Sequence, residues 1–430
     1  MQVINLVLKI GQNKEITNSI WNLLSTIILR GSIFFSNIII AQIIGVELFG
    51  KYSYIKSTTQ VFEYSLGIAF GISMTKFVAE GIAKSDKPGL LGIIKSNFIT
   101  SLVLSLVIFI FLELFAHLFL SENIKSKEDL FLLRISFLYL LFSNISHSFI
   151  GIIKGLERFK LHFRISLIVS FSNLSLVFIL TQFLNLEGAI ISLIAVSFIQ
   201  MAIVGLVVSS QKELQGLLFI FSNKVTFNHS IQRSFNIPAL LSGLAAPPIL
   251  WLINYMLVKL PNGLTEVALY NVGFLIFALL VFTPMAISDS LFPSINKLVG
   301  DKTEFIRAIK KHIVSLFAIS LIVALPSLFF PSLILTFFGE DFSGGTTILQ
   351  WFSVAAILSS LLVYLGKVLA ALHMMWSNLF FNFLWGILLL AIVMIDLNAG
   401  VEWIAKSFVF SYTGLFVIQA GYIWYKLRKK

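Results

Sequence analysis

Arg30, Glu63, Lys76, Asp289 and Lys367 fall inside apolar runs long enough to cross a bilayer, where an ionisable group costs about 2.5 kcal/mol or more and marks a functional site by default. Arg30 lies near the midpoint of the first run. A guanidinium at that depth can hold a phosphate through paired, charge-assisted hydrogen bonds, which low dielectric strengthens. Around it, Asn22, Thr26 and Asn37, with Ser25, Ser32 and Ser36, form a polar stripe at helical spacing. Such a stripe is expected to face water or a partner helix rather than lipid. Glu63 is about as deep in the second run, which travels the opposite way, so an Arg30–Glu63 pair is geometrically open. Two readings of Arg30 therefore stand: a cation lining a cavity, or half of an ion pair that locks the first two helices. Asp289, in TPMAISDSLFPS, is a candidate carrier of a proton or Na⁺, and equally a residue that caps or pairs locally. Lys76 and Lys367 would add positive potential, although both lie near the cytoplasmic boundary, where snorkelling accounts for a lysine without function. Glu113 and Arg134 are placed to pair with each other. His147, a lone histidine in the fourth run, is expected to bond one helix to another rather than to relay protons.

The elements that must position these residues are apolar segments. The 430 residues are 58% hydrophobic and 12% charged, with a mean hydropathy of +0.95. About twelve runs recur at 18–44, 53–79, 95–119, 130–153, 163–184, 188–210, 234–258, 267–291, 313–337, 346–370, 377–396 and 401–425. Backbone groups in hydrocarbon must be hydrogen-bonded within their own segment, so each run is expected to be a helix. A β-barrel would show ten-residue alternating segments instead. The expectation is an all-α integral membrane protein. Lys and Arg are distributed unevenly, with about 23 on the side of the N-terminus and about five opposite (Lys51, Lys56, Lys125, Lys127 and Lys259), which places both termini in the cytoplasm. The first residues lack a small-residue cleavage site and run into a full-length span, so a cleaved signal peptide is not expected.

The longest polar connection, 211–233, divides the chain into an expected N-terminal six-helix lobe, 1–210, and a C-terminal six-helix lobe, 234–430. The lobes share marks in the same order: Asn18 with Asn236, Tyr52 with Tyr270, GIIKGLERF after the fourth run with GKVLAALHM after the tenth, and NLEGA with LNAGV. Six helices per half make this a parallel repeat, with two pseudo-symmetric bundles that can rock about a central cavity. Pro238, Pro247, Pro248 and Pro284 predict bends in runs seven and eight.

Several function classes are excluded. The sequence has no cysteine, hence no disulfide or thiolate chemistry. It has no Gly-rich phosphate loop, no His/carboxylate cluster at metal spacing and no basic face interleaved with aromatics, so neither a cofactor, a metal nor nucleic acid is expected. The outer connections are short, which disfavours a membrane glycan polymerase.

The segment NSIWNLLSTIILRGSIFFSNIIIAQIIGVELFGKYSYI, followed by GIIKGLERFK, resembles polysaccharide and O-antigen unit flippases, which share a superfamily with MATE drug exporters and lipid II flippases. The first outer connection carries the most specific part, Gly45 and Gly50 bracketing an acidic residue, with Tyr52 following; Val46 stands where many relatives have proline. The resemblance implies a bacterial inner-membrane protein that moves undecaprenyl-pyrophosphate-linked oligosaccharide to the outer leaflet, a substrate used in lipopolysaccharide or other surface glycan synthesis. A polysaccharide polymerase would be its neighbour in that process. Arg30, Lys76 and Lys367 would then meet the pyrophosphate, and Glu63 and Asp289 would couple transport to H⁺ or Na⁺. An ion-coupled drug exporter of the same fold is the alternative, and predicts a cavity dominated by carboxylates.

Overall fold

Every regular element among the described residues is a helix, as hydrocarbon requires of a chain with no water to satisfy its backbone. The computed structural model describes residues 14–84, 87–120, 123–211 and 236–429. In chain order the helices are α1 (Lys14–Ala83), α2 (Lys87–Phe115), α3 (Lys127–Gly155), α4 (Phe159–Ser209), α5 (Ile237–Gly243), α6 (Pro247–Leu257), α7 (Gly263–Lys297), α8 (Lys302–Phe329), α9 (Pro331–Thr336), α10 (Thr346–Ala371), α11 (Met375–Val393) and α12 (Gly400–Lys429). Nine helices among the described residues are long and apolar enough to cross a membrane. The chain is a multi-pass, all-helical membrane protein.

The helix boundaries differ from those read by hydropathy in three places. Runs one and two form the single 70-residue element α1, interrupted only at Gly45 (φ 74°, ψ 175°). A side chain is rarely tolerated at that φ, so glycine lets the chain bend without leaving helix on either side. Beyond Gly45 the expected outer connection is therefore helical, and it is also packed: Phe49, Gly50 and Tyr52 are buried, as is Tyr54 just after it. Runs five and six likewise form α4, broken at Asn185 (φ 49°, ψ −126°). Run seven is split instead of bent. α5 ends at Gly243, and α6 begins at Pro247 and Pro248, where the missing N–H groups cost nothing because a first turn leaves them unpaired. Pro284 stays inside α7. The expected linker, from residue 212 onward, lies outside the described residues.

The described chain forms two compact units. One takes α1 on either side of residues 45–54, with α2 to α5; its core includes Met74, Val78, Ile94, Ile152, Ile153, Val169 and Val204. The other takes Gly45–Tyr54 and the chain from Pro248 onward. Its core is aromatic: Phe408 meets Tyr270, Phe274, Phe277, Phe352, Trp385 and Tyr412 at ring-centroid distances of 5.3–6.4 Å. Within that unit Phe49 meets Phe342 edge-on at 5.7 Å.

Candidate functional site

In the first unit, the part of α1 beyond Gly45 and α3 run in the same direction in step. Thr59 Oγ1 is 2.8 Å from Ser136 Oγ, Glu63 bonds Ser143, Gly71 meets Gly151, and Val78 meets Gly155. The sequence reason is a glycine pair four residues apart on each helix, 67 and 71 on α1, 151 and 155 on α3. Small residues at that spacing let two membrane helices approach backbone to backbone. A Cβ on Gly151 would stand 2.4 Å from the Gly71 carbonyl oxygen, and one on Gly67 would stand 2.7 Å from His147 Cδ2.

This close approach brings Glu63 onto the face of α3 that carries Tyr139, Ser143 and His147 at four-residue intervals. The Ser143 hydroxyl donates to Glu63 Oε1 at 2.6 Å, and His147 Nε2 lies 3.0 Å from the same oxygen. The two partners differ sharply in access: the Glu63 side chain is 3% exposed and the His147 side chain 43%. Glu63 Oε2 is buried and has no hydrogen-bond partner among the described residues. Tyr139 bonds Ser143 and Gln60, and its hydroxyl lies within electrostatic range of Glu63 and Tyr64. Arg30 and Glu63 in turn both act electrostatically on Tyr64. One carboxylate, one imidazole, two phenols and one guanidinium therefore gather at this level of the unit.

Arg30 is exposed on α1, and Asn37 is buried. The polar stripe is partly spent on packing. Asn173 of α4 donates to Ser36 Oγ at 2.7 Å and Ser32 Oγ at 3.3 Å, while Ser170 donates to the Ile28 carbonyl. Thr26 donates back to the Asn22 carbonyl, Asn37 to that of Ile33, and Lys56 reaches Asn37 Oδ1 at 3.4 Å. Lys76 is exposed, 4.0 Å from Glu80 one turn on. Arg134 lies 3.6 Å from Glu113, the pairing their positions implied. In the second unit, Lys367 of α10 and Asp289 of α7 are 2.6 Å apart, so two residues read separately from sequence share one contact. No group of three or more His, Cys, Asp or Glu that could hold a metal occurs among the described residues.

Sequence reading missed the Glu63–His147 contact and the roles of Ser143 and Tyr139. The signal was present in the two four-residue glycine spacings, offset by about 80 residues on helices expected to run the same way.

The family described as "Polysaccharide biosynthesis protein" matches residues 16–299, most of the chain. No curated protein matches the sequence. Among solved structures, an inward-facing multidrug resistance MATE family transporter of the MOP superfamily superposes with a TM-score of 0.80 at 16% identity, covering 96% of this chain and 99% of that one. A MOP superfamily transporter from Pyrococcus furiosus, described as having a binding pocket of reversed polarity, gives 0.68 at 16%, covering 97% of each chain. A mutant MATE transporter from Vibrio cholerae gives 0.66 at 17%, again covering 97% of each. At such identities the likeness is one of fold.

Proposed function

We propose, given that the chain belongs to the polysaccharide biosynthesis protein family, that it is a flippase carrying undecaprenyl-pyrophosphate-linked oligosaccharide from the cytoplasmic to the periplasmic leaflet of a bacterial inner membrane. The glycan would be an O-antigen or other surface polysaccharide repeat unit, moved by alternating access rather than by catalysis. A downstream polysaccharide polymerase would consume the product.

The observation that carries this reading is the state of the charges inside the spans. The carboxylates there are engaged: Glu63 by Ser143 and His147, Asp289 by Lys367, and Glu113 by Arg134. Arg30 places a guanidinium at mid-span, at an exposed position of α1. An anionic pyrophosphate needs a cation on its path, and a planar guanidinium matches it with two parallel bonds. The exporter of cationic drugs, the alternative on this fold, needs carboxylates on the path instead, and here Glu63, Asp289 and Glu113 each have a partner. Lys76, near the cytoplasmic end, would raise the positive potential where substrate enters, whereas the charge of Lys367 is balanced by Asp289. Asn22, Thr26 and Asn37 would supply hydrogen bonds on the Arg30 helix.

The architecture this reading calls for would be two lobes of six crossings each. α1 and α4 are each broken once, and if residues 237–257 supplied one further crossing the nine candidate spans would become about twelve. An even number, together with the Lys/Arg asymmetry, favours both termini in the cytoplasm. Coupling to H⁺ or Na⁺ through Glu63 or Asp289 would supply the driving force.

The deciding experiment is reconstitution in proteoliposomes with a fluorescent polyprenyl-pyrophosphate-linked oligosaccharide, scoring how fast the headgroup changes leaflet. Rapid translocation supports the flippase. Transport of a cationic dye with no movement of the glycan lipid sinks it in favour of the drug exporter.

A further inference from the structure

We propose that the turn joining α3 to α4 is where the pyrophosphate of the substrate first docks, held by Lys154, His162 and the N-terminus of α4. This rests on the flippase reading above and names the place on the chain that takes up the lipid-linked diphosphate.

The backbone of the turn favours an anion. α3 ends at Gly155, Glu157 adopts a left-handed conformation (φ 55°), and α4 starts at once with Arg158 as its N-cap. The Glu157 N–H donates to the Lys154 carbonyl at 2.9 Å and the Arg158 N–H to that of Ile153 at 3.1 Å, so the end of α3 is closed. The start of α4 is not, because the Arg158 side chain makes no capping bond. Its first N–H groups therefore find no acceptor in the cap residue, and the positive end of the helix dipole favours a negative one. Leu156 and Leu161 pack on the core of the unit and fix the turn in place.

A buried side chain points to the same ligand independently. His162, on the first turn of α4, is 4% exposed, and its Nδ1 is buried with no hydrogen-bond partner among the described residues. An orphaned ring nitrogen is costly to bury, and a phosphate oxygen would accept its N–H. Lys154, half-buried at the end of α3, lies within electrostatic range of that ring, and no carboxylate pairs with it among the described residues. Arg158, Lys160 and Arg164 are exposed nearby. The acid of the turn, Glu157, is already matched by Lys14 at 2.6 Å. Exposed cations would suffice to orient the chain in a membrane. An imidazole and an ammonium drawn inward side by side are not needed for that.

Its place in the unit suits a first contact. Gly155 meets Thr75 and Val78 of α1, which sets the turn level with Lys76. Phe163 stands 4.9 Å from Trp21, and the Lys160 ammonium 5.8 Å from the same ring, so the first part of α1 passes beside the turn. Arg30 lies further along that helix, about 14 Å from Trp21 at ~1.5 Å per residue. A diphosphate leaving the turn can thus reach Arg30 along one helix of the same unit. The Lys/Arg asymmetry puts the turn on the cytoplasmic side, from which substrate is taken.

The test uses the full-length protein in phosphatidylcholine nanodiscs loaded with polyprenyl pyrophosphate that carries no glycan, and reads retention of that lipid by native mass spectrometry. Lys154→Gln and His162→Asn should each weaken retention by about tenfold. Lys154→Arg should restore most of it, and Lys302→Gln, at an exposed lysine of the second unit, should leave it unchanged. Glu157→Gly suits the left-handed turn and removes its acid, so it should strengthen retention. If His162→Asn fails to fold, the contrast between Lys154→Gln and Lys154→Arg decides. A wild type that does not retain the lipid overturns the proposal, as does undiminished retention in Lys154→Gln. Displacement by inorganic pyrophosphate but not by phosphatidylglycerol supports a diphosphate site. Displacement by phosphatidylglycerol at equal mole fraction reduces it to a general contact with anionic lipid and overturns it. In proteoliposomes, Lys154→Gln should raise the glycan-lipid fraction needed for half-maximal translocation and spare the rate at saturation, a split that a structural defect would not give. A protein that retains polyprenyl pyrophosphate through Lys154 yet moves no glycan lipid keeps the docking site and refutes the flippase reading instead.

Discussion

Lys367 Nζ lies 2.6 Å from Asp289 Oδ1 and joins α10 to α7. Each residue alone is a charge inside an apolar helix; together they are a neutral pair, with the Lys367 ammonium also 6.0 Å from the Phe292 ring. The pair is partly exposed, so its own contribution is modest, on the order of 1 kcal/mol. Removing one partner leaves a lone charge in a membrane helix, which is the larger effect. Asp289→Asn and Lys367→Met should each lower the thermal midpoint of the detergent-solubilised protein by more than the double variant does. Additive losses in the double variant would show that the two do not act as a pair.

Arg30 gives the most direct test of substrate handling. Arg30→Ala should abolish glycan-lipid translocation with insertion and folding intact, and Arg30→Lys should retain part of it, since an ammonium keeps the charge but not the forked geometry. The expected loss for alanine corresponds to about 2–3 kcal/mol of charge-assisted bonding, or roughly a hundredfold in rate. Wild-type surface glycan in cells carrying Arg30→Ala would remove this residue from the path.

The glycine contacts between α1 and α3 predict a contrast in stability. Gly151→Ala places a methyl 2.4 Å from the Gly71 carbonyl oxygen, so the helices must separate. Overpacking of this kind costs about 1–3 kcal/mol. Gly414→Ala, on α12 with nothing within 4 Å of the added Cβ, should be neutral or slightly stabilising, as alanine favours helix. Comparing the two by thermal unfolding in detergent isolates packing from propensity. Equal midpoints would contradict the tight helix pair.

Orientation can be mapped cleanly because the chain has no cysteine. Single replacements Lys84→Cys, Lys302→Cys and Lys259→Cys should differ in labelling by a membrane-impermeant maleimide added to intact spheroplasts. Lys259→Cys should react, and the other two only after lysis. The reverse pattern would invert the assigned topology.

How much of this was legible in the sequence varies with the range of the interaction involved. The crossing segments were, because each depends on the transfer free energy of its own twenty or so residues. The joints were legible only in part. Gly45 and the NLEGA segment marked the bends, but hydropathy could not show that helix continues through residues 46–54, where Tyr52 and Tyr54 are buried by packing. Glu113 and Arg134 were paired correctly because they sit at the ends of consecutive helices, where few alternatives exist. Glu63 was set against Arg30 on the same argument, yet the atoms it bonds belong to α3, two crossings further on.

By itself, then, the sequence determined that this protein crosses the membrane many times as helices and that a handful of charges within those helices must be accounted for. It also carried the family resemblance that the match over residues 16–299 bears out. Only the tertiary structure decided which charges meet: Glu63 with His147, and Asp289 with Lys367. The physical reason is that partition into lipid is a sum over neighbouring residues in the chain. A hydrogen bond between helices depends instead on which helices are adjacent, how each is rotated and how closely the glycines allow them to approach. Those quantities arise from packing across some 80 residues of separation, and no local window contains them.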